Sequence, residues 1–267
     1  MKISKFTKVF SFAAVLALSL ALLAGCSNEQ ADSESYTLVN DGKLTVAMSP
    51  DYPPFENLDA DGNYVGYDVA LGQALAEKMG LEYNPTTIQF DGLIPALVSG
   101  GQADVSISGI TVTPERQDDV DFTENYYVDD QAVVVMKDSG YTTDNVNDEL
   151  NQSGKVIAVQ SGTTGEDFAK ENFPEATVVG YGNATDSFAA LQSGNADAVW
   201  TNAIVADKMV NGSFTDCEVV ETVATGEEYA VAVSKDNPAL TKALNQALQE
   251  LKEDGTIEKL QSEYLAG

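Results

Sequence analysis

Residues 155–210 read KVIAVQSGTTGEDFAKENFPEATVVGYGNATDSFAALQSGNADAVWTNAIVADKMV, and their rhythm decides the fold class. Short apolar runs at 156–159, 176–179 and 196–200 have the length of buried strands, and the segments at 164–172, 187–193 and 204–210 carry apolar residues at helical spacing. Working outward, the same alternation precedes this stretch. Residues 43–48 suggest a strand, Tyr52-Pro53-Pro54-Phe55 interrupts it, and Asp61-Gly62-Asn63 is a hairpin-turn signal. A helix is expected over 69–79, closed by Gly80 as a C-cap, followed by a helix at 92–100 and strands at 103–107 and 131–136. Downstream, residues 229–233 return as a strand and 238–265 form one long amphipathic helical end. Two sets of strand-helix-strand units predict an α/β protein with mostly parallel sheets in two lobes, whose ligand sits across a cleft at the carboxyl ends of the strands.

Composition removes several functions. The 267 residues hold 14 Lys plus Arg against 42 Asp plus Glu, a formal charge of -28, so the surface cannot neutralise phosphates and nucleic acid is excluded as a partner. There is no histidine, which rules out Ser-His-Asp and Cys-His nucleophiles, His-ligated zinc and any imidazole acid or base. No metal or cofactor is expected.

The first residues read as a processing segment. Lys2, Lys5 and Lys8 precede an apolar run at 9–24 that ends in Leu23-Ala24-Gly25-Cys26, which resembles a bacterial lipobox. Residues 1–25 are therefore expected to be a lipoprotein signal peptide, with Cys26 the lipidation site that tethers the chain to the outer face of the membrane. Residues 26–35 are polar and, apart from Ala31, lack aliphatic side chains, as a flexible tether would. Cys217 is then the one remaining thiol, without a disulfide partner, and is expected to serve as a small buried apolar residue.

Five motifs occur in order: Tyr52-Pro53-Pro54-Phe55, Gly66-Tyr67-Asp68-Val69, Phe90-Asp91-Gly92-Leu93-Ile94-Pro95, residues 108–116 (SGITVTPER) and residues 160–165 (QSGTTG). Together they resemble the polar amino-acid substrate-binding proteins of ABC importers, the extracellular solute-binding proteins of family 3. The resemblance implies a Venus-flytrap fold of the periplasmic-binding-protein type II, with two hinge strands crossing near Asp130 and Glu227. It places lobe 1 at 36–130 and 228–267, and lobe 2 at 131–227. It implies a monomer that binds a free amino acid, not an enzyme, and delivers it to an ABC permease in the membrane.

A free amino acid presents a carboxylate and an ammonium, so its binder needs a forked cation, neutral donors and an acceptor. Arg116 is the expected carboxylate clamp, because a guanidinium matches carboxylate geometry, the competing reading being a surface ion pair with Asp118 or Asp119. Ser108, Gly109 and Thr111 supply donors and acceptors from the same loop, while Gln160, Thr163 and Thr164 lead into a helix N-terminus. The resemblance puts Tyr52 and Phe90 against the ligand side chain and makes Asp68 a loop-holding residue. It also shows two departures. Asn202 stands where the family usually has the Asp that takes the ligand ammonium, leaving Glu227 or Glu228 as substitutes, and Ser49 stands where binders of cationic side chains often carry Asp. The alternatives are a dehydratase-like cleft enzyme using Glu56, Glu227 or Glu228 as its acid, and an orphan ligand-sensing lipoprotein.

Overall fold

The computed structural model describes residues 35–266; the expected signal peptide, the expected lipidation site Cys26 and the expected tether up to residue 34 lie outside them. In chain order come strands β1 (Lys43–Met48), β2 (Asp51–Tyr52), β3 (Glu56–Leu58) and β4 (Tyr64–Val65), then α1 (Tyr67–Lys78), β5 (Glu82–Thr87), α2 (Phe90–Ser99), β6 (Val105–Ser106), α3 (Pro114–Asp119) and the long β7 (Val120–Met136). There follow α4 (Val146–Leu150), β8 (Val156–Gln160), α5 (Thr164–Asn172), β9 (Thr177–Tyr181), α6 (Ala184–Gln192), β10 (Ala198–Asn202) and α7 (Ala203–Asn211). The second long strand β11 (Cys217–Ser234) leads into α8 (Pro238–Glu253) and α9 (Thr256–Tyr264).

The strands join in the order β5-β1-β6-β11-β7-β10-β8-β9. At one end β1 runs parallel to β5 and β6, and at the other β8 runs parallel to β9 and β10. Between them β7 and β11 form a long antiparallel ladder that runs through both halves, giving a two-lobed α/β fold. The end of β11 pairs with β6, while the end of β7 pairs with β10. The ladder loses register between Val223 and Glu227, opposite Gln131 and Asp129, and such an irregularity lets a strand pair bend. The parallel strands are as expected, but the sheet is mixed, because the chain crosses between lobes on antiparallel strands. Only the apolar ends of these strands were legible; the partly exposed middle of β7, including Glu124, Asn125 and Asp130, carries no strand period.

One apolar cluster runs through both lobes, and each lobe adds a smaller one. Leu44, Val46 and Met48 of β1 meet Leu71 and Leu75 of α1 and Leu240, Leu244 and Leu248 of α8, so the C-terminal helices close the first lobe. In the second lobe Val133, Val135, Ile157, Val159 and Trp200 share a cluster with Phe173 and Leu150, while Ala132 and Val134 face the opposite side, as strand pleating requires. Gly80 closes α1 as expected: at φ 69 it donates to Glu77 O while Leu81 donates to Ala76 O, which satisfies the last carbonyls. The expected single helix over 238–265 is two. Gly255, at φ 79, takes a left-handed turn, and Asp254 Oδ1 accepts from the Thr256 amide at 3.0 Å to start α9.

Candidate functional site

The carboxyl ends of β1, β6, β8 and β10 face one another across the cleft, where α/β folds bind ligands. There a cavity of about 10 Å3 is lined by Tyr52, Phe90, Gly109, Thr111 and Arg116 from one lobe and by Thr163, Thr164 and Asn202 from the other. A volume of this size holds roughly one water. The lobes are thus closed on each other, and a ligand of amino-acid size enters only when they part.

Arg116 sits on α3, which starts at Pro114 and is N-capped by Thr113, whose hydroxyl accepts the Arg116 amide at 3.2 Å. Its guanidinium donates to Thr111 O at 2.7 Å and, across the cleft, to Gly162 O at 2.9 Å. It lies 5.5 Å from the Phe90 ring centre. The alternative pairing with Asp118 or Asp119 does not occur, and among the ion pairs of the described residues none involves Arg116. Burial draws the guanidinium pKa downward, opposed first by the nearby Glu227 charge. Part of this half-buried cation therefore rests on carbonyl oxygens alone.

The two threonines of α5 divide their tasks. The Thr163 hydroxyl is used locally, accepting the Glu166 amide at 3.2 Å and donating to Gln160 O at 2.8 Å. Thr164 is free of capping and donates to Glu227 Oε2 at 3.0 Å. Thr111 donates to the same oxygen at 2.9 Å, and the Asn202 amide donates to it at 3.0 Å. Gln131 Nε2 reaches Glu227 Oε1 at 2.9 Å. On its other side Asn202 accepts the Tyr52 hydroxyl at 2.6 Å, a bond that joins the lobes. A further interlobe bond runs from the Ala184 amide at the N-terminus of α6 to Asp51, whose burial raises its pKa.

Behind the cavity the Gly109 loop is held by two buried carboxyls. Ser108 Oγ donates to Glu56 Oε1 at 2.5 Å, and Asp68 Oδ2 accepts the Gly109 amide at 2.7 Å and the Tyr126 hydroxyl at 2.9 Å. The remaining oxygens, Glu56 Oε2 and Asp68 Oδ1, are buried with no donor from any other residue, and the two carboxyls act on each other. One proton shared between them satisfies both. Burial pushes the Asp68 carboxyl up to about 6, and burial together with the Asp68 charge pushes Glu56 well above the ordinary carboxylate range. Gly109 has φ 55, a left-handed conformation, and a side chain there would meet the Tyr52 and Tyr229 rings at 3.5 Å.

Eight of the eleven expected binding residues line the cavity; Ser49, Ser108 and Gln160 do not. Ser49 donates its amide to Ser108 Oγ at 3.0 Å and its hydroxyl to Asp51 at 3.1 Å, so both serines build the rear of the site. Gln160 ends β8 and contributes the carbonyl that holds Thr163. Of the acids nominated for a cleft enzyme, Glu56 is buried behind the loop and Glu228 is exposed, which leaves Glu227. The sequence missed Asp51 and Gln131, whose partners lie far along the chain. Cys217 is buried as expected, and burial pushes its thiol up to about 11.

Comparison with known proteins identifies the family and the fold. The profile of the bacterial extracellular solute-binding proteins of family 3 matches residues 44–267. The chain is 34% identical over 227 residues to ABC transporter arginine-binding protein 1 of Escherichia coli K12, covering 83% of this chain and 90% of that one. Among solved structures, an ancestral arginine-binding protein bound to glutamine superposes with a TM-score of 0.79 at 36% identity, covering 85% of this chain and 100% of that one. An ancestral amino acid-binding protein described as a precursor of cyclohexadienyl dehydratase gives a TM-score of 0.77 at 36% identity, covering 84% and 96% of the two chains.

Proposed function

We propose, from the premise that this chain belongs to family 3 of the bacterial extracellular solute-binding proteins, that it is an extracytoplasmic receptor which closes two lobes on a free amino acid and delivers it to an ABC importer permease. The observation that carries the reading is the single cavity to which Tyr52, Phe90, Thr111 and Arg116 come from one lobe and Thr163, Thr164 and Asn202 from the other. A ligand touching both lobes binds the closed form more tightly than the open one, and that difference drives closure.

In this reading the lobes are residues 36–130 with 228–267, and residues 131–227. They rotate about the register break at Val223 and Glu227. Arg116 takes the ligand carboxylate, helped by the Thr111 hydroxyl and the backbone amides at the start of α5. Gly109 offers its backbone, Tyr52 and Phe90 flank the ligand side chain, and Asn202 ties Tyr52 across the cleft. The chain acts as a monomer, held at the outer face of the membrane by lipid on Cys26, and uses no cofactor.

The test is thermal unfolding of the chain without residues 1–26, refolded to free it of carried ligand, against the twenty L-amino acids and their amidated forms. A ligand at a hundredfold its dissociation constant adds about 2.7 kcal/mol, a shift of several degrees. Stabilisation by a subset of free amino acids, abolished by amidating the carboxylate, supports the receptor. Silence across the panel favours an orphan sensing role. Mass analysis of the bound amino acid after incubation separates the remaining alternative: unchanged ligand fits a receptor, and a converted one fits a dehydratase-like enzyme.

A further inference from the structure

We infer that Glu227, at the hinge, is the binding residue that receives the ligand's ammonium, so that the crossing strand β11 supplies the negative half of the zwitterion site. The inference rests on the amino-acid receptor reading and names a residue that reading leaves unassigned.

The argument begins with charge balance. A zwitterion carries one positive and one negative group, and burying either against neutral walls costs several kcal/mol unless an opposite charge faces it. The positive half of the site is Arg116, whose guanidinium has no carboxylate partner among the described residues. The negative half cannot be Asn202. Its side chain is neutral, its carbonyl oxygen is already occupied by the Tyr52 hydroxyl at 2.6 Å, and its amide is a donor directed to Glu227 at 3.0 Å.

The other carboxylates near the site are either committed elsewhere or exposed, Asp167 and Glu115 beside Arg116 among the exposed ones. Asp129 accepts the Tyr229 hydroxyl at 3.3 Å and the Asp130 amide at 2.9 Å, Asp51 caps α6, and Glu228 is exposed. Glu227 alone among the described carboxylates touches cavity-lining side chains of both lobes, Thr111 on one and Thr164 and Asn202 on the other. Thr111 also ties the two charges together, since its carbonyl accepts from Arg116 at 2.7 Å while its hydroxyl donates to Glu227 at 2.9 Å. Cation and anion thus flank one residue without touching each other, the spacing a zwitterion bridges. Both hydroxyls on Glu227 can rotate away, which frees Oε2 for an ammonium donor.

The experiment compares wild type, Glu227→Gln and the double variant Glu227→Gln/Asn202→Asp. The twenty L-amino acids are screened by thermal shift, then the best responder and its des-amino acid are titrated by calorimetry. Gln keeps size and acceptor while removing charge. The expected result is that E227Q weakens the amino acid about 10- to 100-fold, as loss of a charge-assisted bond does, and changes the des-amino acid by less than about twofold. Moving the charge by one hydrogen-bond partner in the double variant should recover about tenfold. A hinge defect would weaken both ligands alike, and that result overturns the inference. So does E227Q binding the amino acid as tightly as wild type or more tightly, which would make Glu227 a tethered competitor for the carboxylate donors. A wild type stabilised by none of the twenty overturns the receptor reading and this inference with it, whereas a responsive wild type with an indifferent E227Q overturns this inference alone.

Discussion

The front and rear of the cleft both hold carboxyl groups out of bulk water, and they do it in opposite ways. At the front, Glu227 is solvated by neutral donors gathered from both lobes, the Thr111 and Thr164 hydroxyls and the amides of Asn202 and Gln131. At the rear, Glu56 and Asp68 lie within one lobe and are solvated by each other, with Ser108, Gly109 and Tyr126 taking the outer oxygens. Parting the lobes breaks the Thr111 bond of the first network and leaves the second intact. The front network is therefore coupled to closure, and the rear one presets the Gly109 loop before any ligand arrives.

The sharpest way to break that contrast is Arg116→Ala. It removes a forked cation from the front and leaves the rear bonds whole, so affinity for the amino acid should fall by about 100-fold or more while the far-ultraviolet circular dichroism is unchanged. Calorimetric titration checks it, and Arg116→Lys should recover little, since a point charge cannot span Thr111 O and Gly162 O together.

At the rear, Glu56→Ala strands the Ser108 hydroxyl and leaves Asp68 without its proton-sharing partner, at a cost of about 2 to 4 kcal/mol in chemical denaturation. Glu56→Gln should fold normally, because its carbonyl accepts from Ser108 and its amide donates to Asp68, as the protonated acid does. Its signature is in pH. Asp68 is raised to about 6 and Glu56 is raised well above the ordinary carboxylate range, so the folded protein binds these protons more tightly than the unfolded chain, whose carboxyls titrate near about 4. Their stabilisation is complete below about pH 4 and is lost as pH rises through 6. The unfolding temperature of E56Q relative to wild type should therefore climb between about pH 4 and 8.

The smallest effect belongs to Asp51, which joins the lobes without facing the cavity. Asp51→Ala removes the acceptor at the N-terminus of α6, a loss of about 1 kcal/mol that falls on the closed form alone. Affinity should drop about fivefold and the ligand-free radius of gyration by X-ray scattering should rise. An unchanged affinity would place Asp51 with the rear network.

Much of the fold was written in local pattern. The strand at Lys43–Met48 shows as an alternation and the one at Val156–Gln160 as a short apolar run, both buried after their first residue, and Gly80 marks a helix end by its conformation. The parts that were not legible are those whose reasons lie at long range. Residues 120–130 pair with β11 about 100 positions away, for example Val128 with Glu228 and Asp121 with Val233, and no local period announces them. Gly255 falls inside the expected helix over 238–265, and its left-handed φ of 79 breaks that helix in two.

By itself the sequence determined an acidic α/β chain with two sets of strand-helix units, one arginine in a Thr-Pro-Glu-Arg turn, paired threonines at a helix start and an asparagine at the end of a strand. Those are properties of residue type and neighbour spacing, which a linear string records in full. Only the tertiary structure decided which of these groups share a cavity. It moved Ser49, Ser108 and Gln160 behind the wall, joined Glu56 to Asp68, and set the Glu227 carboxylate among hydroxyls and amides whose positions run from 111 to 202. Hydrogen bonds and charges act over a few ångströms of space, and the distance between two side chains is fixed by the closing of the lobes, not by their separation along the chain.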